Sequence, residues 1–204
     1  MSGAVGGVDV SRETMQRLET HQSLLRKWTE KINLVAPASV DDAWTRHIDD
    51  SAQIFPLIPE DAKTVADFGS GGGFPGLVLA ILAQELRPGL HVTLVESDSR
   101  KAAFLRTVMA ETETPAELKV SRILDTDPLA ADVITARALA PLERLCTVAE
   151  RHLAQDGTAL FPKGRNVEEE IETALARWTF ACEKIPSQTD DDGVILKIRD
   201  IHRA

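Results

Sequence analysis

The sequence predicts a doubly wound α/β fold: a mostly parallel sheet of seven strands, covered by helices on both faces and preceded by a helical extension. Three observations lead there. From residue 64 onward, short apolar runs alternate with helical segments of about ten to fifteen residues, the pattern of parallel strands joined by crossover helices. The first of these runs leads into a glycine-rich loop, VADFGSGGGFPGLVLA over residues 65–80, that opens a helix. Before it, residues 11–55 carry helical rather than strand periodicity. A chain of 204 residues with 43% hydrophobic content can bury one core. We expect an extension over 1–55 and the α/β core over 56–204.

Each element has its own reason. In residues 11–34, Leu18, Leu25, Trp28 and Ile32 recur at helical spacing behind Ser11, whose hydroxyl can cap the first turn. A second, short helical segment is expected over 40–55, and Pro56 and Pro59 mark the passage into a new region. Residues 64–68 read as the first strand and 76–85 as a helix, with Pro75 suited to its first turn. Residues 91–96 and 118–123 read as strands around a helix over 100–111. Residues 131–136 form a further strand, followed by a helix over 141–153 that Gly157 helps to end. A strand over 158–161, a helix over 167–178, and apolar segments over 181–185 and 194–198 complete the pattern. Glu168, Glu169 and Glu170 fall in the first turn of a helix behind the cap Asn166, where the helix dipole favours acids, so they are read as structural. Asp190, Asp191 and Asp192 before Gly193 have turn composition.

Composition removes several classes of function. A formal net charge of -9 argues against a general nucleic-acid coat, although a small basic patch can sit on an acidic body. His21, His47, His91, His152 and His202 lack metal-ligand spacing, and no metal site is expected. Cys146 and Cys182 form no CxxC and are expected to be reduced core residues. The first ten residues lack the basic start and apolar middle of a signal peptide, and the longest apolar run, 77–83, is too short to span a bilayer. A cytoplasmic protein with no membrane partner is expected, and a monomer.

Gly71, Gly73 and Gly76 satisfy G-x-G-x-x-G between a strand and a helix, as a nucleotide-binding loop should. Glu96 ends the next strand, where a carboxylate can accept hydrogen bonds from both ribose hydroxyls of an adenosine. Asp67 ends the first strand two residues before Gly69. A carboxylate there repels the pyrophosphate of a dinucleotide and attracts the ammonium and sulfonium of S-adenosylmethionine. The arrangement is that of a class I, Rossmann-like methyltransferase; a turn acid is the alternative reading of Asp67. No Gly-Lys-Ser/Thr follows, so the loop is not a P-loop. Neither cysteine lies in a Pro-Cys or Thr-Cys loop, which argues against covalent methylation of a pyrimidine carbon. The Asn/Asp-Pro-Pro-aromatic loop used for exocyclic amines is absent, with TARALAP over 135–141 in its place. A ring nitrogen such as guanine N7 needs neither device, only in-line placement.

A set of short motifs runs through nearly the whole chain: Trp28 with Asn33-Leu34, Arg46-His47-x-x-Asp50-Ser51, Asp67-x-Gly69-Ser70-Gly71-Gly72-Gly73-Phe74-Pro75-Gly76, Glu96-Ser97-x-x-Arg100-Lys101 with Phe104-Leu105, Ser121-Arg122, Ala136-Arg137-Ala138 and Lys163-Gly164. In these pieces the chain resembles the glucose-inhibited division protein B family, the small-subunit (16S) ribosomal RNA guanine-N7 methyltransferases G. The resemblance implies methyl transfer from S-adenosylmethionine to N7 of a guanine in 16S ribosomal RNA, free or in the small ribosomal subunit. It implies a cofactor pocket of Gly69, Phe74, Glu96, Ile123, Leu124 and Arg137, to which the residue pattern adds Asp67 and Gly71. Ile123 and Leu124 can wall the adenine or simply pack in the core; Arg137 can meet the cofactor carboxylate or an RNA phosphate. Many relatives carry an acid just after the third strand, where this chain has Leu124 followed by Asp125. Arg46, His47, Arg137, Lys163 and Arg165 are the candidates for RNA contact, and no catalytic base is assigned. An NAD-binding oxidoreductase and a cofactor-binding module that associates with RNA without methylating it remain as alternatives.

Overall fold

The computed structural model describes residues 3–204, and in it the alternation becomes one seven-stranded sheet. A hairpin of β1 (Gly3–Val5) and β2 (Val8–Val10) precedes α1 (Arg12–Thr29). A π-helix, Trp44–Asp49, runs directly into α2 (Asp50–Ala52). The core follows as β3 (Thr64–Phe68), α3 (Gly76–Leu86), β4 (His91–Glu96), α4 (Ser99–Glu111), β5 (Glu117–Val120), β6 (Ala131–Thr135) and α5 (Leu142–His152). It ends with β7 (Leu153–Lys163), α6 (Val167–Leu175), β8 (Trp178–Pro186) and β9 (Val194–Arg203).

The strand order is β5-β4-β3-β6-β7-β9-β8, parallel except for β9, which runs against both neighbours. The chain winds outward from β3 to β5 and then returns to lay β6 beside β3. That reversal opens a crevice at the carboxyl ends of β3 and β6, the place where ligands bind in open α/β sheets. One face of the sheet is covered by α1, α3 and α4, with Leu18, Leu25, Leu77, Ile81 and Phe104 in a shared core. The other carries α5 and α6 over Phe68, Ile134, Leu145 and Phe161. No helix among the described residues is long and apolar enough to cross a membrane.

Several boundaries differ from the sequence reading, each for a local reason. The β1–β2 hairpin has no counterpart in that reading; Gly6 and Gly7, both at positive φ, make its two-residue turn. α1 is capped by Ser11, whose Oγ accepts from the Thr14 amide, but it stops at Thr29 rather than near 34. β5 ends at Val120, because Ile123–Asp125 already turns as a 3-10 helix. Gly157 does not end α5. It lies inside β7 at an irregularity in the pairing with β6, where a Cβ would come within 2.6 Å of Leu153 and 3.1 Å of the Ala131 carbonyl. Asn166 stands at the N-cap of α6 without a capping side-chain bond. α6 stops at Leu175 and β8 and β9 run longer than their apolar centres, since their outer halves are polar and exposed. Cys146 is buried as expected, whereas Cys182 is exposed on β8, with its side chain on the polar outer part of the edge strand.

Gly76 is the closest approach between α3 and the sheet. A Cβ there would lie 2.4 Å from the Asp67 Cβ and 2.6 Å from Leu94 Cδ2. A Cβ at Gly89, by contrast, would have no neighbour within 4 Å. Urea unfolding should show Gly76→Ala losing about 1–3 kcal/mol through overpacking, while Gly89→Ala shifts stability by less than about 1 kcal/mol.

Candidate functional site

The glycine loop leaves β3 at the crevice and is held by its own backbone. The Gly69 amide donates to the Val95 carbonyl at 2.9 Å, and the Gly71 amide to Glu96 Oε2 at 2.9 Å. Glu96 Oε1 accepts the Asp98 amide at 2.8 Å, so this nearly buried carboxylate fixes both the loop and the start of α4. Gly69 has φ +70°, and a Cβ would press to 2.7 Å from Leu139 Cδ1. The left-handed backbone there favours glycine, and any side chain would also have to displace Leu139.

Beneath the loop lies Asp67, fully buried. Its Oδ1 accepts from the Thr135 hydroxyl at 2.8 Å, while Oδ2 has no hydrogen-bond partner among the described residues. Burial pushes its pKa up to about 6, against the pull of hydrogen bonding and of the Arg137 charge.

From the other side the loop is gripped by α1. His21 is completely buried and its Nε2 lies 2.8 Å from the Gly72 carbonyl. Burial lowers its pKa to about 4, so the ring is neutral at physiological pH and the Nε2 proton must point at that carbonyl. Phe74 stacks against His21 at 4.9 Å and against His47 at 5.0 Å between ring centroids, with the Arg137 guanidinium 5.3 Å away.

The π-helix delivers the second polar layer, as such helices often do at functional sites. Arg137, in the loop after β6, donates to the Arg46 carbonyl at 3.0 Å, to Asp50 Oδ2 at 2.8 Å and to His47 Nδ1. Since a guanidinium only donates, His47 Nδ1 accepts. Its proton therefore sits on Nε2 and is given to Ser39 Oγ, 2.9 Å away, which in turn donates to the Ala36 carbonyl. Burial, reinforced by the Arg137 charge, lowers the His47 pKa to about 4 and holds it in this neutral form. Asp50 Oδ1 accepts from Thr189 Oγ1 at 2.8 Å, which ties the β8–β9 connection into the same network.

Two cavities meet at this network. One, of about 750 Å³, runs between residues 33–36, the glycine loop, Phe74, His47 and Lys101. The other, of about 570 Å³, lies between residues 138–141, Lys163 and the connection from Ser187 to Ile195. Arg46, Arg137 and Ala138 line both. Lys163, at the end of β7, donates to the Ala140 carbonyl at 2.9 Å and to Glu170 Oε2 at 2.7 Å.

The structure therefore brings together Gly69, Gly71, Phe74, Arg137, Arg46, His47 and Lys163. Asp67 and Glu96 support the loop from below and beside it rather than lining either cavity. Ile123 is half-buried against the second core and Leu124 is 69% exposed, both in the turn after β5 and outside the two cavities. Arg165 is exposed and paired with Asp192 at 3.5 Å. Sequence reasoning misses three residues of the site. Asp50 and Ser39 could be suspected, Asp50 from its spacing of four from Arg46 in the Arg-His-x-x-Asp motif and Ser39 from nothing but its nearness to that segment. His21 carries no local signal at all.

Known proteins place the chain. The family model for rRNA small subunit methyltransferase G matches residues 14–191. A protein of Ruegeria sp. (strain TM1040) named ribosomal RNA small subunit methyltransferase G is 50% identical over 196 residues, covering 96% of this chain and 95% of the relative. Its namesake in Paramagnetospirillum magneticum is 50% identical over 194 residues, covering 95% and 92%. Among solved structures, the O-methyltransferase TomG of Streptomyces achromogenes in complex with SAM superposes with a TM-score of 0.58 at 15% identity, over 94% of this chain and 91% of that one. A ribosomal protein L11 methylase from Lactobacillus delbrueckii subsp. bulgaricus gives 0.57 at 22% identity, over 75% and 77%. These distant structures show the fold alone, a class I methyltransferase fold. The close relatives and the family model show more: the chain belongs to the rRNA small subunit methyltransferase G family.

Proposed function

We propose that the protein transfers a methyl group from S-adenosylmethionine to N7 of one guanine in the 16S RNA of the small ribosomal subunit. The observation that carries this reading is the glycine loop at the crevice, backed by Asp67 and Glu96, in a chain half identical over nearly its whole length to proteins named for methylating small-subunit ribosomal RNA. The reading takes the enzyme to be a cytoplasmic monomer with no membrane partner, in which residues 1–55 form an extension that places the RNA.

The residues fit the cofactor. A buried carboxylate oxygen of Asp67 lacks a partner among the described residues, and at Gly71 the nearest atom a Cβ would meet is 3.6 Å away, which leaves the approach to the loop open there. S-adenosylmethionine supplies, when bound, a methyl group activated by its sulfonium. Glu96, holding backbone amides with one lone pair on each oxygen, keeps others for ribose hydroxyls. Leu124 offers an exposed apolar side chain in the turn after β5 that the reading assigns to the adenine, while Phe74 stacks between the loop and His47. Arg137 faces both cavities and can hold either the cofactor carboxylate or the RNA. Guanine N7 carries a lone pair and no proton, so the chain has only to orient it. In keeping with this, His21 and His47 are both neutral and both engaged in structural hydrogen bonds. Arg46, Lys163 and Arg165 surround the acceptor side as the proposed RNA contacts, whereas both ring nitrogens of His47 are already engaged within the chain.

Binding and transfer can each be measured. At about a hundredfold excess over its Kd, S-adenosylhomocysteine should add about 2.7 kcal/mol of stability and raise Tm, while NAD leaves it unchanged; a shift with NAD alone excludes the reading. Labelled methyl groups should enter small-subunit RNA at a guanine that becomes sensitive to N7-specific strand cleavage.

Asp67→Asn should weaken S-adenosylmethionine binding roughly tenfold to a hundredfold, as expected on losing a charge-assisted contact. In the wild type, affinity should fall as pH drops through about 6, where Asp67 becomes neutral, and the Asn variant should show no such step. Stability of the free protein has the opposite sign. A carboxyl whose folded pKa is raised contributes stability below its unfolded value that is lost as pH rises through about 6. Calorimetric titration and urea unfolding across pH 4–8 separate the two.

Arg137→Lys keeps the charge but cannot reach Arg46, His47 and Asp50 together. We expect kcat/KM to fall roughly a hundredfold, with folding retained by circular dichroism, a loss in the range of about 2–3 kcal/mol of transition-state binding.

A further inference from the structure

The acid run at the start of α6 is explained only in part by the helix dipole. Glu168 pairs with Lys184 on the surface, but Glu170 turns inward, with its side chain 26% exposed, and lines the 570 Å³ cavity beside Lys163. Glu170 Oε2 accepts from Lys163 Nζ at 2.7 Å and from the Leu142 amide at 2.8 Å. Its Oε1 accepts from no group among the described residues. Lys163, only 9% exposed, spends two of its three protons, on Glu170 and on the Ala140 carbonyl, and one remains. A donor with one free proton and a carboxylate oxygen with two free lone pairs, both otherwise anchored, thus stand side by side.

We propose that the Lys163–Glu170 pair reads the target base as guanine, Lys163 donating to O6 and Glu170 accepting from N1–H and the 2-amino group. The inference rests on the reading given under Proposed function. Around the guanine ring O6 lies between N7 and N1, so a base whose N7 points to the junction at Arg137 turns O6 and N1–H toward the cavity wall. Acceptor beside donor is the complement of Lys163 beside Glu170. Adenine presents the reverse order, an amino donor followed by a ring acceptor, and meets like with like. Leu139, Pro141, Val194 and Ile195 give the same cavity apolar walls suited to a flat base. Continuity with the cofactor side is provided by Arg46, Arg137 and Ala138, which line both cavities. Glu170 is in this view a specificity-determining residue rather than a catalytic one.

A cycle of one protein change and one base change tests it. Small subunits are reconstituted with guanosine or with inosine, which lacks the 2-amino group, at the target position. Single-turnover methylation is then measured for the wild type and Glu170→Gln. The wild type should prefer guanosine over inosine by roughly 5- to 150-fold, the discrimination typical of a paired base contact, and Glu170→Gln should lose most of that preference. A Glu170 that only props up α6 slows both substrates equally, and an unchanged ratio overturns the proposal. Should Glu170→Gln not fold, Glu170→Asp, which withdraws the carboxylate by one methylene, takes its place. Equal wild-type rates on the two substrates overturn the proposal whatever the variants do. If the wild type methylates no small-subunit guanosine at all, it is the reading under Proposed function that fails.

Discussion

Burying the carboxylate of Asp67 with one oxygen unpartnered among the described residues is costly, and much of the site is arranged around that cost. Thr135 from β6 satisfies Oδ1, which fixes the register of the two strands that flank the crevice. The N-terminus of α3 begins directly above the carboxylate, at Gly76, where the helix dipole offers partial positive charge. That closeness is possible because residue 76 has no side chain, and it leaves the intervening residues 69–75 to arch over the carboxylate as a loop. The remaining penalty shows in the raised pKa. A cation bound above the loop would relieve it, so the strain in the free protein and the affinity for a sulfonium and an ammonium have one source.

The loop so formed is held by backbone bonds to Val95 and Glu96, and the N-terminal segments brace it from the other side. α1 reaches it through His21, and the π-helix through His47 and its stacking on Phe74. Both imidazoles are held neutral by burial, which lets each serve as a directional hydrogen-bonding strut without bringing a charge close to the place where a cationic donor is expected. On the far side, Gln53 Nε2 donates to Ser187 Oγ and Gln53 Oε1 accepts the Gln188 amide, so α2 is stitched to the β8–β9 connection. Arg137 sits where these attachments converge. A shift of α1 and the π-helix would therefore be felt at Arg137 and at the loop together.

Much of this can be read from the chain itself, for reasons that are local. The strand-loop-helix at residues 64–86 declares itself because a glycine cluster between two apolar runs encodes backbone geometry directly, and the doubly wound sheet follows from repetition of the strand-helix unit. What cannot be read depends on pairs distant in sequence. His21 meets Gly72 across 51 residues, Arg137 meets Asp50 across 87, and Thr189 meets Asp50 across 139. Gly157 looks like a helix stop because its local context is the end of a helical pattern; only the irregular pairing of β6 with β7 makes it a strand residue. Glu170 reads, like its neighbours, as a dipole acid. Rotation of about 100° per residue around α6 separates the exposed members of that run from the inward one, and which member turns inward is set by Lys163 and Leu142.

The charge pattern at the site constrains how RNA can be recognised on the proposed reading. The chain carries a net charge of -9, and several cations near the crevice are already matched: Arg137 with Asp50, Lys163 with Glu170, Arg165 with Asp192. Arg46 and Lys101 face the cavity without an acidic partner within 4 Å among the described residues. At the crevice itself few cations are free, so counterion release there can contribute only a small share of the affinity for the target nucleotide. Recognition must then come from fit: a base seated between apolar walls, its polar edge satisfied by groups that are themselves anchored. A surface of this kind discriminates against unstructured RNA, which offers phosphates everywhere but the right base in the right pose rarely. An acidic enzyme can act on a polyanion on these terms because it asks the substrate to present one nucleotide in a defined shape rather than to supply charge.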